Sequence, residues 1–263
     1  MPLVFVGLGL ERGGIPVRGL EEAKRADIVY AEFYTSIVPG LSPAELEQLI
    51  GKPVRVVDRR AVEENPDEIL SSARSQRVVF LVPGDPMVAT THVDLRLRAH
   101  RAGIHTEIVH AGSILSAVAG AVGLQSYKFG ASATVPFPDN PSARPYEVLA
   151  SNRARGLHTL LLLDFRAEEK RAMTANEAMG ILLKLEESRR LGVFLPSTLA
   201  VVVARAGNPD MQIRAARVRD LLGREYGPPP HSVVVPGRLH FMEAEALKIL
   251  GGAPADAVEE LVR

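Results

Sequence analysis

Three loop segments carry residue types from which a ligand site could be built. Gly7-Leu8-Gly9-Leu10 directly follows the apolar run Leu3 to Val6. Glycines there either let a ligand approach the backbone closely or simply turn the chain. The third glycine of the dinucleotide fingerprint is missing, and no Gly-Lys-Ser/Thr follows to make a phosphate loop. The second segment, Pro83-Gly84-Asp85-Pro86-Met87-Val88, lies at the end of an apolar strand, where open α/β sheets bind their ligands. Asp85 there either accepts hydrogen bonds from an amine or ribose hydroxyls, or only closes an Asx turn on its own backbone. The third, His110-Ala111-Gly112-Ser113-Ile114, runs from a strand into a helix. Ser113 is a structural N-cap, or else its small neighbours admit a ligand beside the free N–H groups of the helix start.

The other reactive side chains argue mainly by exclusion. None of the seven histidines stands in a His-x-His or His-Glu-x-x-His pattern, so no metal site is expected. His231 is the informative one, because it follows Gly227-Pro228-Pro229-Pro230 and opens a strand. Its ring either points into a cleft or is a satisfied structural histidine. No serine lies in Gly-x-Ser-x-Gly, and the absence of cysteine removes disulfides, thiolate metal sites and thiol nucleophiles together. Arg59-Arg60 and Arg153-Ala154-Arg155 either touch a phosphate or an acidic partner or, as short charge runs usually do, form solvated faces.

Short apolar runs alternating with helical patterns are what would position these loops. Strands are expected at Leu3 to Val6, Ile28 to Ala31, Val54 to Val57, Arg77 to Val82, Thr106 to His110, Thr159 to Leu163, Leu199 to Val203 and His231 to Val235. Helices are expected at Val17 to Ala26, from Ser42 to Ile50, at Thr90 to Ala102, from Thr174 and at Met242 to Leu250. Ser42 with Glu45, and Thr174 with Glu177, spell capping boxes. Ala178, Ile181, Leu182 and Leu185 mark a core-facing helix side. Pro136, Pro138, Pro141 and Pro145 read as loop punctuation. The rhythm is that of an α/β protein, and 263 residues allow two domains, divided here as 1–112 and 113–263.

The 31 basic and 31 acidic residues balance, so no net field favours nucleic acid or an anionic membrane. No apolar run approaches the roughly 18 residues of a membrane span. The amino terminus reaches Gly7 too early for a signal peptide, and the expected location is the cytosol.

Taken together, VGLGL at 6–10, YAEFYTS at 30–36, PGDPMVATTHVDL at 83–95, GLQSYKFG at 123–130, GLHTLLLLD at 156–164, ARAG at 204–207 and PHS at 230–232 resemble the diphthine-forming branch of the tetrapyrrole methylase superfamily, nearly end to end. Corrin and porphyrin methylases typically continue the first glycine turn with Gly-Pro-Gly-Asp, whereas this chain has Gly9-Leu10-Glu11. The resemblance implies two α/β domains with a cofactor cleft between them and a homodimer. It also implies S-adenosyl-L-methionine as methyl donor. The acceptor would be the amino group of an amino-carboxypropyl-modified histidine on translation elongation factor 2, methylated successively. Carried over by position, the cofactor contacts would fall on Leu10, Asp85, Val88, Ser113, Ile114, Leu163, Ala206 and His231. No catalytic side chain is implied. Asp85→Ala is expected to weaken cofactor binding and spare the fold. The rival readings are a corrin or porphyrin methylase and a non-catalytic cofactor-binding module.

Overall fold

The computed structural model describes residues 2–262. The chain divides into two compact units, Met1–Ile114 with Arg166–Lys170, and Leu115–Phe165 with Arg171–Arg263.

The first unit runs β1 (Leu3–Gly7), α1 (Val17–Arg25), β2 (Ile28–Glu32), α2 (Pro43–Ile50), β3 (Arg55–Val57), α3 (Arg59–Glu63), α4 (Asp67–Ser75), β4 (Val78–Val82), α5 (His92–Arg101) and β5 (Thr106–Val109). Its strands form a parallel sheet in the order β3-β2-β4-β1-β5. Strands β1 and β4 are apolar and buried at every position, as both faces of a covered parallel sheet require. Alternate residues serve opposite faces. Val4, Val6, Val79 and Leu81 pack with Ala23 of α1 and with Leu46 and Ile50 of α2. Leu3, Phe5, Val78 and Phe80 pack with Ile69 and Ala73 of α4 and with Leu95 and Ala99 of α5.

The second unit carries α6 (Ile114–Val122), whose first residue falls at the boundary, then β6 (Ala133–Val135), α7 (Arg144–Ala154), β7 (Thr159–Leu163), β8 (Phe165–Arg166), whose second residue falls in the first unit, β9 (Arg171–Ala172), α8 (Ala175–Arg189), β10 (Leu199–Ala204), β11 (Gln212–Arg217), α9 (Val218–Leu221), β12 (His231–Val235), α10 (Phe241–Gly251) and α11 (Ala255–Glu259). Its main sheet is mixed, in the order β11-β10-β12-β7-β6. One core cluster joins Leu161, Val202 and Val233 of the sheet to Tyr146 and Leu149 of α7 and to Ala178, Met179 and Leu182 of α8.

Both capping boxes expected from the sequence form, at Ser42 and at Thr174. Several elements were not expected, α7 and β11 among them. Helix α7 begins beside Pro145 rather than being interrupted by it, because proline in the first turn lacks only an N–H that has no intrahelical partner there. Strand β11, Gln212-Ile213-Arg214-Ala215-Ala216-Arg217, is polar at three of its six positions and so lacks a continuous apolar run. Arg217 at its end is nonetheless held by Asp256 at 2.9 Å and Glu260 at 2.7 Å.

Candidate functional site

In the first unit, β1 and β4 are neighbours whose outgoing helices cover opposite faces of the sheet. Their loops therefore diverge at the carboxyl edge, the position at which such sheets open a crevice. The two turns also hold each other. Gly9 N–H donates to the Gly84 carbonyl at 3.1 Å, and Gly84 N–H returns a bond to Gly9 at 2.9 Å. Both glycines have positive φ, 72° and 69°, which only glycine adopts without cost.

Gly7 has a different reason to be glycine. A Cβ there would stand 2.5 Å from the Gly84 carbonyl oxygen and 2.6 Å from Ala111 Cβ. The first glycine turn thus serves the packing of the three loops on each other. Room for a ligand lies elsewhere: a Cβ built on Gly112 meets nothing within 4 Å, and one on Gly84 meets only the Gly112 carbonyl at 4.0 Å.

Asp85 sits at the centre of this edge and is 5% exposed. Its Oδ1 accepts from Met87 N–H at 2.9 Å, which is the Asx turn. Its Oδ2 accepts from Ala111 N–H at 3.2 Å and from His110 Nδ1 at 2.8 Å. The turn is therefore not its only structural role, because the carboxylate also ties the exit of β4 to the exit of β5. A carboxylate has about four acceptor positions, so one remains for a ligand donor. His110 was missed as its partner because the two are 25 residues apart and no short motif links them.

The other positions read from the sequence in this unit lie on the same three loops. Leu10 follows the Gly9–Gly84 bridge, half-buried. Val88 N–H donates to the Asp85 carbonyl at 3.3 Å, closing the second turn. Ser113 is buried and directly precedes α6, which Ile114 opens. Ala89 holds a φ of 55° in the second loop, a conformation non-glycine residues keep only where surroundings impose it.

The second unit brings its three positions to one end of its own sheet. Ala204 pairs with His231 across β10 and β12, and Leu163 ends β7, the neighbour of β12 on its other side. Ala206 follows two residues after β10 and is 8% exposed. Between Ala204 and Ala206 lies Arg205, which belongs to the ARAG segment but was not named among the cofactor contacts. It is buried, has a φ of 52°, and its guanidinium donates to the carbonyls of Tyr226 and Pro228 at 2.7 Å each and to Asp210 Oδ2 at 2.6 Å. It clamps the turn after β10 to the proline-rich segment before β12.

His231 resolves toward the structural alternative as far as its ring is concerned. Nδ1 accepts the Ala175 N–H at 3.2 Å, so Nε2 carries the hydrogen and donates to the Gly227 carbonyl at 3.1 Å. Burial holds the imidazole below its ordinary range and therefore neutral. Both nitrogens are taken, and only the ring faces and the main chain of His231 remain for a ligand.

Residues 2–222 match the family of tetrapyrrole (corrin/porphyrin) methylases. The chain is 50% identical over 254 residues to a diphthine synthase of Methanocella arvoryzae, with 95% of this chain and 98% of that one covered. It belongs to the diphthine synthases of the tetrapyrrole methylase family. Among its relatives the diphthine synthase of Methanocaldococcus jannaschii is 44% identical, covering 94% of this chain and 98% of that one. A crystal structure of a diphthine synthase superposes with a TM-score of 0.92 at 41% identity, covering all of both chains. As a member of this family the chain is a methyltransferase, and the α/β architecture with two main sheets agrees with the expectation from sequence.

Proposed function

We propose that this diphthine synthase methylates the amino group of the amino-carboxypropyl-modified histidine of translation elongation factor 2, in the cytoplasm and as a homodimer. The observation that carries this reading is the 50% identity to a diphthine synthase over nearly the whole of both chains. Methylation by S-adenosyl-L-methionine supplies an electrophilic methyl together with its own leaving group, so neither a metal nor a covalent protein nucleophile is required.

The residues present fit such a donor. The open main chain at Gly84 and Gly112 admits a close approach, and the remaining acceptor position of Asp85 suits an ammonium. Leu10, Asp85, Val88, Ser113, Ile114, Leu163, Ala206 and His231, carried over by position from the family resemblance, are the residues that would hold it, largely through peptide groups. Their task is orientation, which can supply several kcal/mol of a displacement barrier. The acceptor, an alkyl ammonium of ordinary pKa about 10, must lose a proton before it can attack, and desolvation by the surrounding protein favours that loss.

The test is incubation with labelled donor and either modified or unmodified elongation factor 2, followed by mass spectrometry of the factor. Label on the modified factor alone, in whole methyl increments, is the expected result. Equal labelling of both factors overturns the acceptor assignment. Labelling of uroporphyrinogen instead supports a corrin or porphyrin methylase, and donor binding without turnover supports a non-catalytic module.

A further inference from the structure

Behind the loop that bears Asp85 lies a buried polar cluster for which the methyl transfer described above has no use. Glu32 and His92 are wholly buried and Tyr34 is 3% exposed. The Glu32 carboxylate organises the turn after β2, accepting from the N–H groups of Tyr34 and Thr35 at 2.9 and 3.0 Å and from Thr35 Oγ1 at 2.5 Å. That turn aims the Tyr34 hydroxyl at His92 Nε2, 3.2 Å away. The other ring nitrogen, Nδ1, lies 3.3 Å from the Pro86 carbonyl. A carbonyl only accepts, so Nδ1 carries the hydrogen and Nε2 receives the one from Tyr34. Phe80 meets the imidazole edge to face at 5.3 Å. The charged groups near the cluster are Arg59, whose guanidinium stands 5.1 Å from the Tyr34 ring centre, and Glu63 and Asp58 beside it.

The Pro86 carbonyl and the Met87 N–H are the two ends of one planar peptide unit. His92 and Thr90 Oγ1 hold the carbonyl end, each at 3.3 Å, while the N–H end is the donor to Asp85 Oδ1 at 2.9 Å. Rotating this plane would break the bonds at both ends together. We propose that His92, aligned by Tyr34, is a positioning residue for the donor-binding loop: through the Pro86–Met87 peptide it sets the Asp85 carboxylate and the main chain leading to Val88. This rests on the reading that the 83–88 loop holds the methyl donor. An aromatic residue needed only for packing against Phe80 would not have to be histidine. A rigid ring that accepts on one side and donates on the other meets the hydrogen-bonding demand.

The probe is adenosylhomocysteine, titrated calorimetrically into the full chain, with thermal stability measured alongside. His92→Phe keeps the aromatic packing and loses both hydrogen bonds, and should weaken binding about tenfold. His92→Asn retains an N–H donor for the Pro86 carbonyl and should restore most of the affinity. Tyr34→Phe removes a single hydroxyl and should weaken binding by a smaller factor, which keeps the test decisive if His92→Phe does not fold. In turnover the loss should appear in KM for the donor more than in kcat. Ile50→Val, a core change on the opposite face of the sheet, should lower stability with wild-type affinity. Wild-type affinity in His92→Phe or, failing its folding, in Tyr34→Phe overturns the inference, as does an equal loss of affinity in Ile50→Val. A wild-type chain that binds no adenosylhomocysteine overturns the donor reading, and this inference with it.

Discussion

At the residue scale, the site is built from groups whose bonds to the protein constrain what they can offer a ligand. Asp85 is the clearest case. Removing its carboxylate leaves the part-buried Met87 and Ala111 N–H groups without their acceptor, at up to about 1 to 3 kcal/mol for each that water does not reach, while the exposed His110 ring can turn to water. Asp85→Ala should therefore lower stability as well as donor affinity, measurable as a fall in the urea midpoint, whereas the sequence suggested an intact fold. An unchanged midpoint would show that the tie between β4 and β5 contributes nothing. Gly7→Ala tests the close approach of the three loops. Its Cβ would meet the Gly84 carbonyl and the Ala111 methyl inside 3 Å, and overpacking of this kind costs about 1 to 3 kcal/mol. A variant as stable as wild type would mean that the loops separate freely.

At the scale of elements, the two ends of α8 are held by different devices. Its start carries the Thr174–Glu177 box, in which the Glu177 carboxylate also accepts from Thr174 N–H at 2.8 Å. Past its end, the Glu186 carboxylate gathers the N–H groups of Gly192, Val193 and Phe194 at 2.7 to 2.8 Å and the Tyr146 hydroxyl at 2.9 Å. Burial works to raise the pKa of Glu186, and these donors outweigh it and keep the carboxyl below its ordinary range. Glu186→Leu should destabilise the second unit by more than Thr174→Ala, because the first strands several buried donors while the second loses one cap of about 1 kcal/mol. Denaturant unfolding of the two variants side by side checks the order, and equal losses would contradict it. Only the amino-terminal device was legible in the sequence. Ser/Thr-x-x-Glu is a local pattern, whereas Glu186 finds Tyr146 across 40 residues.

For the whole molecule, the buried ionisable groups set the pH dependence. Burial lowers the folded-state pKa of His92 to about 4, from an ordinary 6.5, and lowers those of His158 and His231 as well. Each is neutral in the folded state but takes up a proton when unfolded below about 6.5, so its stability contribution is lost as pH falls. Glu32 acts oppositely. Burial raises it from 4.5 to about 7, so its contribution is complete below about 4.5 and fades as pH rises through 7. Glu243 is held down at about 2 by donors that outweigh its burial, and it costs stability only below its ordinary 4.5. Three histidines against one carboxyl leave the chain less stable at pH 5 than at pH 7. Unfolding at pH 5.5 should be accompanied by net proton uptake, detectable by calorimetry in buffers of different ionisation heat. Net proton release there would reverse the argument.

The amino-acid order alone determined the alternation of strands and helices, the caps of α2 and α8, and the three loops from which the first unit's site is built. Each of these is a local matter of period, turn chemistry and side-chain type within a few residues. What the loops do was decided by tertiary contact. That Gly7 makes room for the protein's own backbone, that Asp85 braces His110, that the His231 ring is spoken for, and that His92 stands behind Pro86 all depend on groups brought together from distant positions. Hydrogen bonding and close packing are satisfied in space, and no spacing along the chain encodes which distant donor will meet which acceptor.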